Sequence, residues 1–268
     1  MLSLNETEPF NGNFDQLGFG SLHFLNNMGS LNIAFLFYLA ALVLLVIVDQ
    51  CTGMCKPASW LSMYLNELLF HSYIIDFIVQ SYSIITLCCA INFYALKFDS
   101  YGEAVQSGVT IFFACLLFVV PLWVFFYLRR NWEYVGTDEN VRYFGVFYSE
   151  LRLEAGKQVL WWPMFFIFRR LMVTFIVTVA DKIFIVQLML FTANLLIAVF
   201  IVGLWEPFED KAKARTEYFN EIITFIILYH MICFSPLVPD PNTRFMMGYP
   251  CAGFVALHLV ISMACIIY

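Results

Sequence analysis

Residues 161–181 read W-W-P-M-F-F-I-F-R-R-L-M-V-T-F-I-V-T-V-A-D, a stretch apolar enough to cross a bilayer that carries two adjacent arginines, Arg169 and Arg170. Charges at that depth are rare and face a protein interior, a water-filled cavity or a partner charge, so the pair marks function or assembly. The rest of the chain belongs to the same environment. Hydrophobic residues make up 62% and charged residues 13%, where a soluble domain shows roughly 45–50% and about 25%. Seven apolar segments fall at 31–48, 70–96, 105–128, 160–180, 183–204, 218–238 and 245–268, against roughly 17–25 residues for a helix through a bilayer core. The reading is an all-α, polytopic membrane helix bundle of about seven transmembrane helices. A membrane β-barrel is excluded, because these runs are continuously apolar and lack the alternation of barrel strands.

Loops on the cytoplasmic side collect Lys and Arg. With the N-terminus outside, the inner loops hold Lys56, Arg129, Arg130, Arg142, Arg152, Lys157, Lys211, Lys213 and Arg215, and the outer loops only Lys97, Lys182 and Arg244. That places the N-terminus out and the C-terminus in. Residues 1–30 carry Glu6, Glu8 and Asp15 but no Lys or Arg, which suits the non-cytoplasmic side. Asn5-Glu6-Thr7 is a glycosylation sequon, marking Asn5. The first apolar run is full length and lacks a basic lead, so it is read as directing insertion itself and not as a cleavable signal.

The organisation expected is a non-cytoplasmic segment at 1–30, a first transmembrane helix with an interfacial linker at 31–69, a four-helix bundle at 70–204, a charged inner linker at 205–217 and two last helices at 218–268. Lys56-Pro57 and Trp60 predict a turn and an interfacial helix within the first linker. Of the eight cysteines, Cys88, Cys89, Cys115, Cys233 and Cys265 lie in apolar segments, where a thiol behaves as a small hydrophobe. Cys51 and Cys55 sit at the membrane surface, where S-palmitoylation and incidental thiols are both open readings.

Four charges fall in the inner half of the bilayer: Asp76, Arg169, Arg170 and Glu221. The guanidinium fork matches a carboxylate bidentately, so Asp76 is expected to pair with Arg169 or Arg170. The arginines point about 100° apart on a helix, leaving one free to snorkel. The pair serves either helix register or gating. Gln80, Asn92, Gln187 and Asn194 lie deeper and are read as helix–helix polar contacts, with Gln187 and Asn194 on one face. His230 sits mid-membrane with His258 on the next segment, but two histidines do not make a metal site.

Enzyme signatures are missing: there is no G-x-S-x-G, H-E-x-x-H or phosphate-binding glycine loop. The chain is read as a non-enzyme without a cofactor. Its net charge of −6 is thinly spread, with no basic tract for nucleic acid. Partners are membrane lipids and other membrane proteins, in a homo- or hetero-oligomer. A seven-helix receptor lacks its Asp-Arg-Tyr and Asn-Pro-x-x-Tyr signatures.

Phe14-Asp-Gln-Leu-Gly-Phe-Gly-Ser21 and Phe24-Leu-Asn-Asn-Met-Gly-Ser30 precede the first segment. Tyr143-Phe-Gly-Val-Phe-Tyr-Ser-Glu-Leu-Arg152, Phe168-Arg-Arg170, Val186-Gln187, Trp205-Glu-Pro-Phe208 and Asn220-Glu221 follow. In order and spacing this series resembles the transient-receptor-potential-like membrane region of protist, ciliate-type surface proteins, over most of the chain. The resemblance implies a six-helix channel-like core preceded by one extra helix, in a plasma or ciliary membrane more than an organellar one. A pore of that type needs a re-entrant segment between its last two helices. Here that connection, Pro236 to Gly248, holds Asp240 as its sole acid and reads either as a pore mouth, with His230 below, or as a rigid proline-rich turn. The chain stops at Tyr268 without a cytoplasmic tail, which reads as a fragment or as a copy lacking a gating attachment. Two functions are therefore expected: a channel-like or channel-derived subunit with cation permeation, or a non-conducting accessory or anchoring subunit of a larger membrane complex.

Overall fold

A computed structural model describes the backbone of residues 9–51, 56–70, 72–180, 183–235 and 237–267. These residues form α1 (Gly12–Gln16), α2 (Phe24–Asn27), α3 (Gly29–Cys51), α4 (Lys56–Phe70), α5 (Ser72–Phe93), α6 (Tyr101–Arg130), α7 (Asp138–Tyr148), α8 (Trp161–Val179), α9 (Phe184–Trp205), α10 (Lys211–Met231) and α11 (Pro241–Ile267), with short 3-10 turns between some of them. No strand longer than a single bridge occurs among the described residues. Among the described residues, six helices are long and apolar enough to span a membrane: Leu31–Cys51, Tyr101–Arg130, Lys157–Val179, Phe184–Trp205, Lys211–Phe234 and Pro241–Ala264. The chain is an all-α polytopic membrane protein. The seventh expected segment, 70–96, forms α5, whose described apolar stretch is the shorter Phe77–Phe93.

The chain divides into two compact units, Met1–Ser149 with Pro163–Thr174, and Glu150–Trp162 with Phe175–Tyr268. The grouping differs from the expected four-helix set at 70–204, since α9 joins α10 and α11. Only residues 206–210 separate α9 from α10, so the two pack as an antiparallel hairpin. Asp210 caps α10 by accepting from the Ala212 N–H at 2.8 Å. The helix therefore starts at Lys211, inside the stretch expected to be a charged linker.

In the first unit, a helix runs from Lys56 itself, with Lys56-Pro57 in its first turn and not in a turn before it, and it packs back along α3. Ser62 donates to Asp49 at 2.7 Å and the Tyr38 hydroxyl to the Leu69 carbonyl at 3.3 Å. α5 and α6 form the centre of this unit, with Tyr82, Cys88, Ile91, Leu117 and Val124 buried. Pro121 lies inside α6 and has no N–H to give to the Leu117 carbonyl four residues back. Tyr82 of α5 supplies the missing donor, its hydroxyl 3.0 Å from that carbonyl. In lipid, where no water can do this, a neighbouring helix must. At the other end of α6, Phe144 of α7 packs on Tyr127 and Trp123, with ring centroids 5.2 and 6.1 Å away.

The N-terminal segment is folded, and its sequence explains how. Asn11 caps α1 by accepting from the N–H groups of Asn13 and Phe14 at 3.0 and 2.9 Å. The helix ends in a Schellman turn: Phe19 N–H bonds to Phe14 O at 2.8 Å and Gly18 N–H to Asp15 O at 3.0 Å. Gly18 sits at φ +91°, where a Cβ is strained. The rings of Phe14 and Phe19 close the motif at 6.2 Å. That accounts for the spacing of Phe14, Gly18 and Phe19.

Candidate functional site

The polar groups within the spans include some closed inside a unit, some that tie two helices of the last hairpin, and the carboxamides of α9, which stay open among the described residues. The largest closed set lies where α5 ends and α6 begins. Asn92, Gln106, Ser107 and Thr110 are at most 2% exposed. The Asn92 amide donates to the Leu22 carbonyl at 2.7 Å. The Thr110 hydroxyl lies 2.8 Å from both Asn92 Oδ1 and the Gln106 carbonyl and serves one of them at a time. Gln106 Oε1 accepts the Leu25 N–H at 2.9 Å, and Ser107 donates to the Lys97 carbonyl at 2.8 Å. Phe24, fully buried, packs on Phe113 at 5.3 Å. The N-terminal segment is thus bound to α5 and α6 by side chains that read the loose carbonyl and N–H groups of residues 22–25. Asn92 of α5 thus faces Thr110 of α6; Gln106, Thr110 and Tyr82 were not singled out from sequence.

Arg170 belongs to the same unit. Its guanidinium donates to the Val79 carbonyl of α5 and lies 4.3 Å from the centre of the Phe166 ring. Cation–π contact and a charge-assisted hydrogen bond both suit a desolvated guanidinium. The expected partner, Asp76, stands one helical turn before Val79, but its side chain lies outside the described residues, so the pairing is not seen. Arg169 is engaged as well. Glu221, 7% exposed and also engaged, lies in the other unit. Gln80 is exposed on α5 and has a partner of its own.

In the second unit, His258 of α11 and Asn220 of α10 meet at 3.0 Å between Nε2 and Oδ1, with the imidazole N–H donating. His230 instead turns its Nδ1 to the Ile226 carbonyl of its own helix at 2.9 Å and lays its ring 5.2 Å from Phe254. The two histidines have separate partners. No three His, Cys, Asp or Glu side chains gather as metal ligands among the described residues.

Asp240 is the N-cap of α11. It accepts from Thr243 Oγ1 at 2.6 Å, from Thr243 N–H at 3.0 Å and from Asn242 N–H at 3.2 Å. The Thr243 hydroxyl and the two amides hold its carboxyl below the usual carboxylate range. Just before it, α10 runs through the 3-10 turn Ile232–Phe234, and Arg244 Nε returns to the Val238 carbonyl at 2.5 Å. Among the described residues, the connection between the 3-10 turn and α11 is short.

Two of the motif stretches meet. Leu151 and Phe208 form an antiparallel bridge, flanked by Arg152 N–H to Pro207 O at 2.9 Å and Glu209 N–H to Glu150 O at 3.1 Å. Lys213 pairs with Glu150, and Trp162 packs on Phe208 with centroids 5.3 Å apart. Glu206 takes the left-handed conformation at φ 40°, which turns the chain out of α9 into this bridge. Tyr143–Arg152 and Trp205–Phe208 thus include two halves of one clasp.

Gln187 and Asn194 of α9 are half-buried, and their side chains make no hydrogen bond among the described residues. They are the open pair. Cys51 is a free, half-buried thiol at the end of α3, whereas Cys55 and Asn5 lie outside the described residues. No protein-family model, no curated protein and no solved structure matches the chain.

Proposed function

We propose that this chain is a channel-derived membrane subunit with a transient-receptor-potential-like core, resident in a plasma or ciliary membrane. In this reading it serves as a non-conducting accessory or anchoring member of a larger membrane assembly and has no enzymatic activity. The observation that carries the reading is the use of Asp240. A cation pathway between the last two helices needs an acid free to face ions at its mouth. Asp240 instead commits both carboxylate oxygens to the first turn of α11, and the connection around it is a short turn. The bonded N-terminal segment supports the anchoring role, because Phe24 and Asn92 fix residues 22–25 rigidly to the membrane helices.

The test is cation flux into vesicles of phosphatidylcholine and phosphatidylserine holding the full chain. The expected result is flux equal to that of empty vesicles, unchanged by Asp240→Asn. Flux above that level, reduced by Asp240→Asn, overturns the proposal in favour of a cation-permeable subunit.

A further inference from the structure

The open amides of α9 are part of a longer pattern. Gln187, Asn194 and Ile201 recur every seven residues, and Ile183, Leu190 and Ile197 recur every seven in the register between them. Alternating steps of four and three residues are the a and d positions of a coiled-coil seam. On a helix this seam lies about 90° round from the buried stripe of Leu195, Ala198 and Val202. Within α9, Leu190 and Ile197 are 40% and 51% exposed and Gln187, Asn194 and Ile201 are half-buried, so the seam is accessible without being filled from within the chain.

From this we infer that α9 is the contact by which two or more copies of this chain associate in the membrane, helix alongside parallel helix. Gln187 and Asn194 then meet their own counterparts near the symmetry axis. The amides select the occupant. Acyl chains offer neither donor nor acceptor, whereas a carboxamide carries both and is completed by an identical group facing it. A foreign helix needs two polar groups at the same heptad spacing; a second copy supplies them automatically. The isoleucines and leucine around them supply the knobs of the packed seam, and the polar a positions fix its register. The inference goes beyond the proposed function and holds for a conducting or a non-conducting subunit.

The test uses the full chain. The photo-reactive residue p-benzoylphenylalanine is placed at Leu190 or Ile197 on the seam, or at Met189 or Leu196. The latter pair are 66% and 42% exposed but off the seam. Illumination in native membranes is expected to give chain-to-chain products from Leu190 and Ile197 and at least about tenfold less from the other two. In mild detergent, light scattering is expected to give the mass of two or more chains, and Gln187→Leu with Asn194→Leu to weaken association at least about tenfold. Leucine keeps the span apolar and helical, and the cross-linking arm stands even where the double variant fails to fold. A single-chain mass, equal cross-linking on and off the seam, or products only with another protein or within one chain overturns the inference. Neither readout involves ion flux, so a conducting oligomer defeats the previous proposal and leaves this one standing.

Discussion

The α5–α6 pair and α9 carry carboxamides in the same kind of apolar helix, yet treat them differently. Asn92 and Gln106 are completed by backbone groups of residues 22–25, and Tyr82 completes the carbonyl that Pro121 leaves open. Gln187 and Asn194 have no such neighbour among the described residues. Beyond a bond to a carbonyl of its own helix, as at His230, or to a side chain of a neighbouring helix, as at His258, a hydrogen-bonding side chain in a span is satisfied by a proline's orphan carbonyl, a loop's loose amide, or another molecule. The first unit supplies the first two, and α9 is left with the third.

Breaking the closed end tests this most strongly. Phe24→Ala removes a fully buried ring from the contact with Phe113 and is expected to cost about 3–5 kcal/mol. Unfolding in mixed micelles reads the loss. Asn92→Leu leaves the Leu22 carbonyl without its donor, at about 1–3 kcal/mol. Limited proteolysis should then cut within residues 9–28 well before the membrane helices; an unchanged digestion pattern would show that the amide does not hold the segment.

A double-mutant cycle sharpens the proline argument. Tyr82→Phe alone should destabilise by about 1 kcal/mol. In the Pro121→Ala background the new alanine brings its own N–H to the Leu117 carbonyl, and the same loss of the hydroxyl should cost much less. Equal losses in both backgrounds would refute the idea that Tyr82 answers Pro121. A pH dependence comes next. Tyr148 is 1% exposed, donates to the Val135 carbonyl at 2.7 Å, and burial pushes its phenol up to about 12. Because the folded value is raised, the stabilisation is complete below the ordinary tyrosine value near 10 and is lost as pH rises from there through about 12. Tyr148→Phe should flatten stability across that window. The smallest effect is expected on the open side: Asn194→Leu should leave the unfolding of an isolated chain within about 0.5 kcal/mol of the parent. A large loss there would mean that the amide is closed within the chain after all.

Much of the fold was legible because hydropathy is a local property. The spans around 105–128, 160–180 and 183–204 each needed only their own residues, and the helices came within a few positions. The start of α10 was misread because charge marks a water-exposed stretch without saying whether it is helical; Asp210 as a cap was the available signal. Asp240 read either as a pore acid or as part of a rigid turn because acids in turns serve two purposes, and only the positions of Asn242 and Thr243 around it show that it caps α11. Tyr82 was missed although Pro121 announces an orphan carbonyl at Leu117: sequence fixes the need for a donor but not which helix brings it.

By itself, then, the sequence determined the solvent of this protein, its all-helical class, the rough extent of most of its long helices and the shared face of Gln187 and Asn194 on α9. All of these depend on residues within a few turns of one another. The tertiary structure alone decided that residues 22–25 close over Asn92 and Gln106, that Arg170 turns to Val79 and Phe166, that His258 meets Asn220, and that Glu150–Arg152 pairs with Glu206–Glu209. Most of those contacts join residues tens of positions apart, and their partners are often backbone groups, which look alike at every position of a sequence and become distinct only when the chain has folded.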